Sequence, residues 1–103
     1  MAKQSLVVHV AQVRTRTGVS DKDLLAASEE AQDGFFLKQR GYAGRELLKS
    51  DSGAWLDIMY WKNEEDALAA RKAFRNHPST RRFGALLDPI TFKLEEYRSI
   101  RTY

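Results

Sequence analysis

The sequence predicts an α+β domain with the element order βαββαβ, the ferredoxin-like arrangement in which two helices cover one face of a four-stranded antiparallel sheet. Three observations predict it. Strand-like alternation occurs near both ends of the chain, a hairpin signal lies in the middle, and a helical pattern flanks the hairpin on each side. Because 103 residues suffice for one hydrophobic core but not two, we expect residues 1–103 to form a single domain.

The first strand and helix have clear local signals. The valine-rich stretch from Leu6 to Thr15 favours a half-buried strand, and Gly18 ends it. Ser20 stands three residues before Asp23, in the position of a helix N-cap. Apolar residues then recur at helical spacing, so we expect a helix from Asp21 to about Gln39.

The centre of the chain reads as a β-hairpin. A strand from Arg45 to Lys49 is followed by the turn sequence Asp51-Ser52-Gly53 and by a strand from Trp55 to Trp61. Asp and Gly favour the backbone conformations of tight hairpin turns. The two strands are therefore expected to pair directly.

The last third supplies a helix, a turn and a strand. Asn63 precedes three acidic residues, as an N-cap does, and predicts a helix over about Glu64 to Asn76, which Pro78 prevents from continuing. A short helical turn is expected over Ser79 to Gly84. Alternation from Ile90 to Tyr97 predicts the fourth strand.

The third strand carries apolar side chains on both faces. One face presents Leu56, Ile58 and Tyr60, and the other presents Trp55, Met59 and Trp61. A sheet covered by helices on one side normally has a polar second face. We therefore expect a homodimer in which two subunits pack sheet against sheet.

Composition excludes several classes of protein. With 43% hydrophobic and 30% charged residues, and no apolar run near the ~20 residues of a membrane span, we expect a globular protein with no membrane association. The amino-terminal stretch does not resemble a secretory signal, so a cytoplasmic location is expected. The chain has no cysteine, which excludes disulfides, thiol nucleophiles and cysteine-ligated metals.

Basic residues are concentrated in and after the second predicted helix. No acidic residue interrupts the stretch from Arg71 to Arg82. Arg71 and Arg75, one helical turn apart, could bind a carboxylate, a phosphate or an acidic partner through forked hydrogen bonds. The alternative is an ordinary solvated helix face.

Two segments resemble a known family. Residues 41–50 and 55–67, most specifically the strand ending in Trp61 followed by a capped acidic turn and an alanine-containing helix, resemble the antibiotic biosynthesis monooxygenase-like group of dimeric α+β barrel proteins. That group includes cofactor-independent quinone-forming monooxygenases and haem-degrading enzymes. The resemblance implies the dimeric barrel fold and assigns Trp61 to substrate binding.

The haem-degrading members use an asparagine on the first strand and a tryptophan and a histidine in the second helical region. This chain has His9 on the first strand, no tryptophan in the second helix, and His77 alone in a comparable region. We therefore expect neither haem degradation nor a bound cofactor.

His9 and Asp57 are the candidate catalytic residues. An imidazole exchanges its proton near neutral pH, and a histidine facing a cavity between sheet and helices could accept a substrate proton. Because the first and third strands are neighbours in this fold, Asp57 could orient His9. The alternative is a hydrogen-bonded structural histidine, with Asp57 paired to an arginine or lying at the dimer seam.

The candidate substrate-binding residues are Trp55, Trp61, Phe74 and His77. With Tyr60, the rings could line a flat pocket for an aromatic ligand, and His77 could meet the ligand at the pocket mouth. Alternatively, the rings only pack in the core and the dimer interface. The alternative for His77 is that it interacts favourably with the negative, C-terminal end of the helix dipole. Two such distant histidines do not predict a metal site.

Three functions remain open from the sequence. The first is a cofactor-independent monooxygenase-like protein whose electron-rich aromatic substrate, once deprotonated, reduces dioxygen. The second is a non-catalytic dimeric protein that binds a small apolar ligand. RNA-recognition domains share the element order and the pI is about 9.3, but their aromatic strand motif is absent, so no nucleic-acid partner is expected.

Overall fold

The computed structural model describes residues 6–103. Its helices and strands follow the predicted order. They are β1 (Val7–Val13), α1 (Asp21–Gly34), a 3₁₀ turn (Phe36–Lys38), β2 (Tyr42–Lys49), β3 (Trp55–Trp61), α2 (Glu64–Phe74), α3 (Arg81–Ala85) and β4 (Lys93–Arg98). None of the helices in this part of the chain is both long enough and apolar enough to cross a bilayer.

The four strands form one antiparallel sheet in the order β2-β3-β1-β4. Strand β1 lies in the middle, where Val10 is opposite Ile58 of β3 and Glu95 of β4. Helices α1 and α2 share a single buried cluster with one face of this sheet. The predicted ferredoxin-like α+β fold is confirmed.

The sheet has an inner face, which packs against the helices, and an outer face. Side chains of β1 and β3 alternate between them, with buried residues such as Val7 and Trp61 on the inner face. The outer face carries half-buried apolar side chains on the same strands: Val8, Val10, Leu56, Ile58 and Tyr60. The division of β3 into two apolar faces is therefore as the sequence predicts.

Both predicted helix starts are capped. The Ser20 hydroxyl accepts a hydrogen bond from the backbone N–H of Asp23 at 3.1 Å, and Asn63 Oδ1 accepts from the N–H of Asp66 at 2.8 Å. Each bond satisfies a backbone donor that has no partner within its helix. These local signals fix where α1 and α2 begin.

Helix α1 ends earlier than the sequence predicts, at Gly34 rather than at about Gln39. A Cβ atom built on Gly34 would lie 2.6 Å from Ser79 Cβ, so only glycine permits this close approach between the end of α1 and the loop after α2. Phe35 then leaves the helical conformation, and the chain tightens into the 3₁₀ turn.

Strand β4 begins at Lys93 rather than at Ile90. Asp88 Oδ1 accepts from the N–H of Ile90 at 3.0 Å, and the Asp88 carbonyl accepts from the N–H of Thr91 at 3.2 Å. This aspartate-led turn takes up the backbone groups that a strand would pair. Ile90 is left 92% exposed.

Candidate functional site

A cavity of about 280 Å³ lies between the inner face of the sheet and the helices. All four strands and all three α-helices contribute to its wall, and most of the lining is apolar. Its buried or half-buried aromatic rings belong to Phe35, Phe36, Trp55, Trp61, Phe74 and Phe83. The cavity is therefore suited to a small molecule with an apolar or aromatic body.

Five of the six side chains that the sequence predicts for the site lie in this lining: His9, Trp55, Asp57, Trp61 and Phe74. They come together because odd-numbered residues of β1 and β3 point to the inner face, while Phe74 ends the inner stripe of α2. The fold thus gathers residues that are distant in the sequence around one space.

His77 is not part of the lining. Its ring packs edge-on against Phe35, with 5.0 Å between the ring centroids, and its Nδ1 accepts a hydrogen bond from the backbone N–H of Ser79 at 3.1 Å. Tyr60, the remaining predicted ring, lies on the outer face. Neither side chain faces the cavity.

His9 is only 4% exposed, and its carboxylate partner is Glu96. Nε2 of His9 lies 3.2 Å from Glu96 Oε1, because Glu96 is directly opposite His9 on β4. Asp57 lies opposite Ala11 instead, two cross-strand pairs further along. The hydrogen bond of His9 is therefore made with Glu96 and not, as the sequence suggested, with Asp57.

A proton on Nε2 of His9 is favoured by this contact, since it can be donated to the Glu96 carboxylate. Nδ1 is then the ring nitrogen with a free lone pair. The side chain of Glu96 is 43% exposed, so the pair connects a buried imidazole to solvent. Such a pair can accept a proton from a bound ligand.

Asp57 belongs to a buried ion pair with Arg45. Its two carboxylate oxygens accept from Nε and Nη2 of Arg45, each at 2.9 Å, and the two side chains are only 5% and 8% exposed. Arg45 also donates to the Ser28 carbonyl and to Gln32 Oε1. The carboxylate of Asp57 is thus held in one orientation at the cavity wall, where it can accept a hydrogen bond from a ligand.

Sequence reasoning named neither Arg45 nor Glu96, although its alternative for Asp57, an ion pair with an arginine, is what the structure shows. Alternation through Phe92 and Leu94 puts Glu96 on the apolar side of the last strand, and that signal is present in the sequence. Arg45 offers no comparable signal. Its guanidinium lies over the ring of Phe36, 4.4 Å from the centroid, and this contact exists only in the tertiary structure.

The indole of Trp61 contributes an unpaired donor. Among the side chains of residues 6–103, its Nε1 is the buried polar atom that has no hydrogen-bond partner. A buried donor without an acceptor costs on the order of 1–3 kcal/mol.

The described residues contain no candidate metal site. Within residues 6–103, no group of three or more His, Asp or Glu side chains could hold a metal ion.

Comparison with known proteins finds solved structures with a similar fold but no match in sequence. No protein-family model and no curated protein matches the chain. A proposed antibiotic biosynthesis monooxygenase from Bordetella bronchiseptica superposes with a TM-score of 0.79 at 15% identity, covering 95% of this chain and all of that one.

Two further structures are similar. SnoaB, a cofactor-independent oxygenase from Streptomyces nogalater, superposes with a TM-score of 0.73 at 15% identity, covering 95% of this chain and 96% of that one. A proposed antibiotic biosynthesis monooxygenase from Chloroflexus aurantiacus gives 0.68 at 15% identity, covering 96% and 97%. This chain therefore has the fold of the antibiotic biosynthesis monooxygenase-like proteins, as its sequence resemblance implies.

Proposed function

We propose that this protein is a cofactor-independent monooxygenase-like enzyme that acts on a small aromatic or apolar molecule. The observation that carries the proposal is the ring-lined cavity with His9 in its wall. An apolar cavity of about 150 Å³ is enough to bind benzene. At about 280 Å³, this cavity has room for a larger aromatic body. The fold shared with SnoaB, a cofactor-independent oxygenase, also supports the proposal.

The chemistry begins with a proton transfer. His9, oriented by Glu96 through Nε2, accepts the hydroxyl proton of an electron-rich phenolic ring at Nδ1. The resulting anion gives electrons to dioxygen. One oxygen atom forms a bond to a ring carbon that loses its hydrogen, and the other leaves as water, so that phenol and dioxygen yield quinone and water. All four electrons come from the substrate.

The other predicted residues hold the ring in place. Trp55, Trp61 and Phe74 offer aromatic surface in the lining, on which a flat substrate stacks. A substrate oxygen would satisfy the indole N–H of Trp61. Asp57, fixed by its ion pair, accepts a hydrogen bond from a second hydroxyl. His77, outside the lining, has no part in this proposal.

A non-catalytic protein that stores or senses a small ligand is the alternative, and it is compatible with the pairing of His9 with Glu96 and of Asp57 with Arg45. The deciding experiment uses the His9→Ala variant. Native mass spectrometry of the protein as purified identifies a bound adduct, and an oxygen electrode with quinone absorbance measures its turnover.

Binding that survives in His9→Ala together with lost oxygen uptake would support the enzyme. Unchanged oxygen uptake would remove His9 from the mechanism. Wild-type protein that binds the adduct but never consumes oxygen would establish the ligand-binding alternative.

We also propose that the protein is a homodimer joined through the outer faces of two sheets. The support is the apolar character of that face at the centre of the sheet, where Val10 and Ile58 lie side by side. Ile58→Lys places a charge there, so we expect it to convert dimers to monomers in native mass spectrometry. Leu25→Lys, at an exposed leucine of α1, is the control that should leave the dimer intact. A monomeric wild type would contradict this assembly.

A further inference from the structure

Helix α2 contributes both apolar and cationic side chains to the cavity. Ala67, Ala70 and Phe74 form its inner stripe, and all three line the cavity. Arg71 follows Ala67 by one helical turn, and Arg75, the C-cap residue with helical backbone angles, follows Arg71 by another, so both lie along the same side of the helix. Both arginines belong to the lining.

These two arginines lie where the cavity opens to solvent. Most of the lining is buried or half-buried, whereas Arg71, Arg75 and Phe92 are its exposed members. Exposed lining residues mark the mouth of a cavity, because the side chains around its closed end are covered by others. The mouth therefore lies between α2 and the segment that leads into β4.

Neither Arg71 nor Arg75 has an ion-pair or hydrogen-bond partner among residues 6–103. Three other arginines of the described residues pair with carboxylates, Arg45 with Asp57, Arg82 with Glu30 at 3.6 Å and Arg98 with Glu64 at 3.2 Å, whereas Arg40 and Arg81 form no ion pair but lie outside the cavity lining. Two uncompensated cations thus stand at the mouth of an apolar cavity.

The helix dipole explains why cations occur near the end of α2, but it does not explain why two of them lie at the cavity mouth. Cations are favourable in the last turn of a helix, and this applies to Lys72 as much as to Arg71. Lys72, however, lies outside the cavity lining. The dipole alone does not explain why the two arginines border the cavity.

We infer that the cavity takes an amphipathic ligand, an aromatic body with a carboxylate at one end, and that Arg71 and Arg75 bind the carboxylate at the mouth. Guanidinium groups match the geometry of a carboxylate through paired, charge-assisted hydrogen bonds. The inference rests on the proposed function, since it requires the cavity to bind the aromatic body, and it narrows the substrate to aromatic acids.

The test compares two probes of nearly the same shape that differ only in the terminal group, a charged carboxylate or a neutral amide. Naphthylacetate and naphthylacetamide have the same ring system, but the first carries a carboxylate at neutral pH. Binding is followed by isothermal titration calorimetry, because the fluorescence of a naphthyl ring overlaps that of tryptophan. The proteins are the wild type, Arg71→Gln, Arg75→Gln and the control Lys72→Gln, which removes the same charge from the same helix outside the lining.

We expect the wild type to bind naphthylacetate at least about tenfold more tightly than the amide. Each arginine variant should lose about tenfold in affinity for the acetate and keep its affinity for the amide, while Lys72→Gln changes neither. Because exposed charges are screened by salt, added salt should weaken acetate binding selectively.

Equal binding of both probes by the wild type would overturn the inference and leave the proposed function standing. An equal loss in Lys72→Gln would also overturn it, because the effect would then reflect net charge. If the wild type binds neither probe, the cavity does not take a naphthyl ring, and both the inference and the proposed substrate class are wrong.

Discussion

The buried pair of Arg45 and Asp57 makes a quantitative prediction about stability. In Arg45→Met, the Asp57 carboxylate stays in the interior without its partner. Both side chains are less than a tenth exposed and are joined by two hydrogen bonds of 2.9 Å, so solvent screens the pair little. Breaking a buried pair on one side costs roughly 3–5 kcal/mol. That is a large share of the roughly 5–15 kcal/mol that stabilises a typical domain.

The free energy of unfolding is measured by urea denaturation, followed by tryptophan fluorescence and by far-ultraviolet circular dichroism. Lys49→Met is the matched control on the same strand. Lys49 pairs with Asp21 at 2.8 Å, but the two side chains are 39% and 56% exposed. Exposed pairs contribute about 0–1 kcal/mol, so this variant should differ little from the wild type.

A double variant separates the pair from its surroundings. Arg45→Met with Asp57→Leu removes both charges, so its loss of stability should be smaller than the sum of the two single losses. If Arg45→Met does not fold, Asp57→Asn gives a milder version of the same cycle. A loss within about 1 kcal/mol for Arg45→Met, or strict additivity in the double variant, would refute the reasoning.

Three further predictions concern packing and the site. Gly34→Ala should destabilise the fold by roughly 1–3 kcal/mol in thermal unfolding, because its new methyl group meets the loop after α2; Gly84→Ala, with nothing within 4 Å of a built Cβ, is the control that should be neutral or stabilising. Ala70→Leu should fill part of the cavity, abolish ligand binding and not lower Tm, and unchanged ligand affinity would show that the ligand binds elsewhere. Glu96→Gln should lower kcat about tenfold or more while binding persists, because His9 loses its charged partner; an unchanged kcat would show that this pair is structural.

Local chemistry made much of the fold predictable. The caps at Ser20 and Asn63, the bounds of β3 and the pairing of β2 with β3 all depend on residues close together in the sequence, so a single chain is enough to read them. Of two misplaced element bounds, the start of β4 follows from a local turn at Asp88, whereas the end of α1 lies against a distant segment. Gly34, the last residue of α1, is in contact with Ser79, which follows α2 in the chain, and the approach leaves no room for a Cβ atom.

The sequence predicted most of the residues that line the candidate site but not the hydrogen bonds that they make. Period-two alternation along β3 was enough to place Asp57 and the two tryptophans on one face, because the pleat of a strand is a local property. Which partner each polar group meets depends on strand order and register, which are global properties.

The sequence by itself thus determined the order of the elements, the capped helix starts and the two apolar faces of β3. Only the tertiary structure decided that His9 meets Glu96, 87 positions away, and that Asp57 is held by Arg45. It also decided that Arg71 and Arg75 border an apolar cavity rather than an ordinary surface. The physical reason is that periodicity and capping act within a few residues, whereas a charge finds its partner only after the sheet has fixed which strands are neighbours.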